Sequence, residues 1–175
     1  DLVRSRGLGD VYKRQYFSVS DARKIGWLRG QIDDLIPDRD SRTRNVALAS
    51  LIYSADRCAN TVGHYEAFLR SQSGRSFKFE LVRPNTVSAK IFRQDANDLV
   101  SKVVCDVAYL DPPYNSRQYS RFYHVLETLV KWDKPKLSGV ALKPPTENSS
   151  RYSKVEAPEA LRELVENIRA KLIVI

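Results

Sequence analysis

The stretch Cys105–Leu110, CDVAYL, is rich in strand formers and runs straight into Asp111, Pro112, Pro113 and Tyr114. A strand cannot continue through two prolines, which lack the N–H of a sheet ladder and fix φ. The run is long enough for a strand buried on both faces, as parallel strands are. It therefore predicts a strand that stops at residue 110 and carries an acid and two rigid residues at its tip. In open α/β sheets ligands bind beyond the carboxyl ends of the strands, so this tip is a candidate site.

The flanking sequence supplies the rest of such a sheet. Ser18 and Ser20 can cap a helix starting near Asp21, with Ala22, Ile25, Leu28, Ile32 and Leu35 on one face. A second helix is expected from about Thr43 to Ala59, with Val46, Leu48, Ala49, Ile52 and Ala55 inside. Residues 77–82, FKFELV, alternate like a half-exposed strand. AKIFRQD reads as a strand ending in Asp95, and ANDLVSKV as a short helix or turn. Arg117 to Lys131 reads as helical, and a long loop rich in serine and proline follows. Residues 156–170 form an amphipathic helix with Leu161, Leu164, Val165 and Ile168 on one face, and KLIVI is a closing strand. Strand, helix, strand, helix, strand is the grammar of an α/β fold, a mostly parallel sheet with crossover helices. Asp95 and Asp111 then stand at the ends of two successive strands, and neighbouring strands lie ~4.8 Å apart, so the two carboxylates can edge one crevice. The alternative for Asp95 is an acid serving as a turn or helix-cap residue.

Composition limits the partners. The 175 residues carry a formal charge of +8 and a pI near 9.6, which favours a polyanion, nucleic acid first. No apolar run approaches the ~18 residues of a membrane span. Cys58, Cys105, His64 and His124 show no metal-ligand spacing, so no metal site is expected. Residues 1–15, DLVRSRGLGDVYKRQ, have no clean period and resemble translated sequencing-adapter DNA. They are set aside as a non-native segment, and the basic balance survives without them. The absence of methionine and a closing strand with no loop after it suggest a chain truncated at both ends.

The tip has a definite chemistry. Asp111 and the proline carbonyls are acceptors, and Tyr114 offers a flat ring beside them. Two acceptors for one amino group, with a ring to stack on the heterocycle that bears it, suit a flipped-out adenine or cytosine.

Asp111-Pro112-Pro113-Tyr114-Asn115, with Arg117-Gln118-Tyr119 and Tyr123-His124 after it, resembles the catalytic motif of adenine-specific DNA methyltransferases. It is most similar to the bacterial and phage group whose target-recognition region lies between the cofactor and catalytic motifs. The resemblance extends to ALASLIYSADRCANTVGHYEAFL (47–69), AKIFRQDAN and NIRAKLIVI, and covers about residues 16–175. It implies a partial Rossmann-like S-adenosylmethionine-dependent fold with a helical insertion. Residues 16–76 would be the helical region between the cofactor and catalytic motifs, a candidate target-recognition part, and 77–175 an incomplete catalytic domain.

The resemblance also implies roles. Asp111 and the Pro112 carbonyl would hold the adenine amino group, Pro113 would stiffen the turn, and Tyr114 would stack on the base. Asp95, Ala96 and Asp111 would contact S-adenosylmethionine, and Asn115, Arg117 and Tyr119 the base or DNA. The implied setting is a monomer acting on double-stranded DNA in the cytoplasm of a bacterial or phage-infected cell, away from membranes. A cognate restriction endonuclease would be a functional, not physical, partner. The alternatives are amino methylation of RNA or of a protein glutamine, or an inactive DNA-binding fragment. Asp at the first motif position favours adenine over glutamine. The group's Gly-rich cofactor motif is missing, since the only Gly-x-Gly, Gly7 and Gly9, falls in the set-aside segment. Weak or no binding of S-adenosylmethionine is therefore expected.

Overall fold

The computed structural model describes residues 16–69, 74–85, 87–113, 116, 119–138, 144–145 and 150–175. The segment 1–15 lies outside them. The chain forms two compact units, one within residues 1–86 and 119–145, the other within 87–118 and 146–175.

The first unit is helical. Helix α1, Val19–Leu35, starts where the Ser18 side chain accepts a hydrogen bond from the Asp21 amide, as the sequence predicts. Ala22, Ile25, Arg29 and Ile32 form its buried stripe. That progression continues to Ile36, so Leu35 falls off it and is 75% exposed, against expectation. Helix α2, Arg42–Cys58, is capped by Ser41. Its buried face is Ser50, Leu51, Ser54, Ala55 and Cys58, whereas Ala49, expected inside, is exposed.

Two serines enter that face because they bind backbone. Ser54 Oγ accepts from the Glu80 amide and Ser50 Oγ from the Val82 amide, both at 2.9 Å. Asp21 Oδ1 accepts from the Phe77 amide at 2.9 Å. Residues 77–82 are thus an extended segment held by side chains of α1 and α2 rather than a strand in a sheet. Counting apolar residues alone misplaces the face of α2, since its polar members were chosen by this neighbour.

Helix α3, Ala96–Val100, belongs to the other unit; α4, Tyr119–Phe122, and α5, His124–Lys131, belong here. The expected single helix over 117–131 is broken at Tyr123, whose φ of −116° and ψ of 26° leave helical space. Val125 and Leu129 of α5 join Tyr16, Phe17, Ile25, Leu51, Ala55, Tyr65 and Phe77 in the core. Arg29 is 2% exposed. Its Nε donates to the Leu129 carbonyl at 2.6 Å and its Nη2 to the Val130 carbonyl at 3.1 Å, and the guanidinium lies over Trp132. An interior arginine therefore satisfies carbonyls at the end of α5. Arg44 does the same for α1, donating to the Ile32 and Ile36 carbonyls. Asp33 pairs with both arginines. Burial raises its pKa, but the hydrogen bonds and charges of Arg29 and Arg44 outweigh that and lower it below 3.8.

The second unit mixes helix and strand. Strand β1, Val104–Tyr109, pairs in parallel with β2, Arg169–Val174, in a register running from Val104 opposite Arg169 to Tyr109 opposite Val174. Helix α6, Ala157–Asn167, packs on α3 and on a 3₁₀ turn, Arg151–Ser153. The expected parallel pairing is present, but among the described residues the sheet has two strands. The expected strand ending in Asp95 forms no ladder, and Ile91 is 92% exposed. β1 itself is not buried: Val104, Val107 and Tyr109 are exposed, as is Leu172 of β2. A parallel strand is buried only when other elements cover both of its faces. Among the described residues, no helix is long and apolar enough to cross a membrane.

Candidate active site

The strand ends where the sequence predicts. The parallel ladder continues one residue beyond β1, where the Leu110 amide donates to the Val174 carbonyl at 2.8 Å. Asp111 follows at once and is exposed, and Pro112 and Pro113 are half-buried. The acid thus stands at the carboxyl end of a parallel strand whose position is fixed up to its immediate neighbour. Tyr114, Asn115 and Arg117 lie outside the described residues.

Asp95 is a helix N-cap. Its backbone is extended, at φ −60° and ψ 135°, and its Oδ1 accepts from the Asn97 amide at 2.8 Å. That geometry matches the alternative reading of this acid. It leaves acceptor capacity on the exposed carboxylate, which has about four lone-pair sites. Ala96 opens α3 and is also exposed.

Behind Asp95 lies a network that sequence reasoning missed. Tyr152 Oη donates to Asn97 Oδ1 at 2.6 Å, and Asn97 Nδ2 donates to the Ala160 carbonyl and to Glu163 Oε2, each at 3.0 Å. Arg151 pairs with the same Glu163 oxygen at 3.0 Å. The first turn of α3 is thereby pinned to α6 and to the 3₁₀ turn. Burial, and then the negative charge of Asp95, raise the Tyr152 pKa, keeping the phenol a donor. An asparagine two residues after the acid was a visible clue. The tyrosine 55 residues further on was not, because only folding brings it there.

Tyr119 sits in the helical unit, at the start of α4. It is 56% exposed, and its ring lies within 12° of parallel to that of Tyr123, 6.4 Å away. His124 is fully buried, edge-on to Tyr16 and Tyr65. It packs the core. The Tyr65 hydroxyl donates to Asp56 Oδ1, and burial followed by the Asp56 charge pushes its pKa well up. Burial likewise pushes the Cys58 thiol up to about 11, so neither is a nucleophile at neutral pH.

Comparison with known proteins adds the family. The profile of the D12 class N6 adenine-specific DNA methyltransferases matches residues 13–174. The modification methylase StsI of Streptococcus sanguinis is 35% identical over 172 residues, covering 91% of this chain and 26% of that protein. The type II methyltransferase M.NlaIII of Neisseria lactamica is 36% identical over 133 residues, covering 72% of this chain and 40% of that protein. M.CviAII of Paramecium bursaria Chlorella virus 1 is 34% identical over 167 residues, covering 93% and 50%. The chain thus spans half or less of the length of these relatives. No solved structure matches it significantly. With a family match over nearly its whole length and an acid-proline-proline tip at the end of a parallel strand, the chain belongs to the D12 class of N6 adenine-specific DNA methyltransferases.

Proposed function

We propose that this chain carries the catalytic tip of an enzyme that methylates the N6 amino group of adenine in double-stranded DNA, using S-adenosylmethionine. The observation that carries the reading is Asp111-Pro112-Pro113 directly beyond the last ladder bond of β1, in a chain matched by the family over residues 13–174. β1 and β2 are then part of a larger Rossmann-like sheet, and residues 16–76 serve target recognition. Relatives named modification methylases favour a restriction–modification setting, with an endonuclease as functional partner. The enzyme works as a monomer in the cytoplasm of a bacterial or phage-infected cell.

The cofactor, when bound, supplies an electrophilic methyl group on a sulfonium. The residues present fit its adenosyl part in one respect: the Asp95 carboxylate is exposed, held by its cap bond and by the Asn97 network, and can accept from an amino group. Ala96 adds backbone beside it, and Asp111 borders the same ligand.

The adenine amino nitrogen is a poor nucleophile because its lone pair is delocalised into the ring. Asp111 and the Pro112 carbonyl accept its two N–H hydrogens, which frees the lone pair and stabilises positive charge as it develops. Pro113 keeps the turn rigid, so these acceptors need not reorganise. Tyr114 stacks on the extruded base, and Asn115, Arg117 and Tyr119 contact base or backbone. The rate comes from positioning and electrostatics.

Asp111→Ala in the natural polypeptide that carries this sequence is the direct test. Methyl transfer to unmethylated duplex DNA should fall at least 10²- to 10³-fold, roughly the cost of losing one preorganised polar group in an active site. Wild-type activity in that variant, at unchanged thermal stability, would sink the assignment.

A further inference from the structure

We propose that Tyr119 and Tyr123 form a stacking platform for an unpaired base of an opened DNA strand, distinct from the target adenine that falls to Tyr114. The inference rests on the DNA-methyltransferase reading above and names a further contact for its substrate.

The two rings stand one helical turn apart, on α4 and at its junction with α5, joined by the bond from the Tyr123 amide to the Tyr119 carbonyl. They are within 12° of parallel and keep much of their surface in solvent, Tyr119 56% and Tyr123 38%. Neither belongs to the core. The α5 residues that do are the next ones along, His124, Val125, Thr128 and Leu129.

The support beneath the rings is firm. The Phe122 carbonyl accepts from the Tyr65 amide at 2.8 Å, and the Phe122 ring meets His64 edge-on at 5.4 Å. Phe122 also lies 6.4 Å from the Tyr123 ring. His124, the next residue, is locked among Tyr16 and Tyr65, and Arg29 fixes the far end of α5. A pair of exposed, near-parallel rings on so fixed a base is preorganised to bind a flat partner.

The partner's chemistry follows from charge and shape. Arg121, between the two tyrosines in sequence, is exposed, and the chain carries +8, so a polyanion is drawn in. Every nucleobase has a π-face, which makes aromatic stacking tolerant of sequence. Opening a duplex unstacks bases, and an unstacked base is what such a platform takes.

The test uses the whole chain and a DNA duplex with one unpaired 2-aminopurine, compared with the fully paired duplex. Fluorescence of the 2-aminopurine reports stacking, and anisotropy reports affinity. Wild type should bind the unpaired duplex more tightly and quench the probe. Tyr119→Ala and Tyr123→Ala should each lose quenching and weaken binding by roughly 5- to 100-fold, the range for losing one base–aromatic stack. Tyr119→Phe and Tyr123→Phe keep the rings and should restore both signals. Far-UV circular dichroism checks that the alanine variants fold; were either to unfold, the phenylalanine pair and a Tyr119→Leu variant, which keeps apolar bulk without a π-face, decide the matter. Undiminished quenching in folded alanine or leucine variants overturns the platform while leaving the methyltransferase reading intact. So does loss of signal in the phenylalanine variants, or no binding by wild type. The Asp111→Ala assay decides the underlying reading separately.

Discussion

Arg29 shows how one residue governs the helical unit. A buried guanidinium is costly unless it is engaged, and this one serves two carbonyls, a carboxylate and an aromatic face. Arg29→Met would keep the bulk and strip the carbonyls of their donors. The expected loss is about 3 kcal/mol, the low end for breaking a buried pair, because Asp33 retains Arg44. Urea unfolding followed by circular dichroism would measure it. Asp33 adds a pH dependence of known sign. Its folded pKa lies below the ordinary 3.8, so its contribution is fully present above that value and is lost as pH falls through the lower, folded one. Asp33→Asn should therefore destabilise the chain at neutral pH and match wild type in strong acid. Equal stability of the two proteins at pH 7 would contradict this. Nothing in the sequence marks Arg29 as internal, since its carbonyl partners lie 100 and 101 residues away.

At the scale of elements, the Ser18 cap was legible and the helix faces less so. Ser18 and Ser41 start α1 and α2 because a short side-chain oxygen can reach an amide two or three residues on, a local matter. Ser50 and Ser54 are not among the residues the apolar pattern places inside, and they are buried because residues 80–82 lie against them. Ser54→Ala should strand the Glu80 amide and Ser50→Ala the Val82 amide, each costing about 1–3 kcal/mol. Hydrogen exchange should speed up at the matching amide in each variant and stay slow at Phe77, which Asp21 holds. Uniform protection across all three amides would show that the serines do not hold the segment. The strand expected before Asp95 failed for a related reason: a strand is completed by a neighbour, and β-propensity alone supplies none.

For the molecule as a whole, the charge of +8 sets the salt dependence that the proposed DNA binding should show. Binding driven by phosphate contacts releases counterions, so affinity should fall roughly 10³-fold or more between 50 and 200 mM salt if six or more phosphates are engaged. A titration of duplex DNA at several salt concentrations gives the slope, and a flat dependence would count against a phosphate-tracking surface. The exposed Val104, Val107, Tyr109 and Leu172 are a second property of this scale. Apolar side chains on both paired strands are what remains visible where a sheet of this type is not covered.

By itself the sequence determined the strand that ends at residue 110, a closing strand at the far end of the chain, the cap of the first long helix and the family to which they belong. Those are local or short-range facts, set by proline geometry, side-chain length and the periods of helix and strand. Only the tertiary structure decided which arginines are internal, which serines face inward and that Tyr152 anchors the turn after Asp95. A polar side chain is buried only where distant backbone or side-chain groups satisfy it, and those partners meet it only in the folded chain.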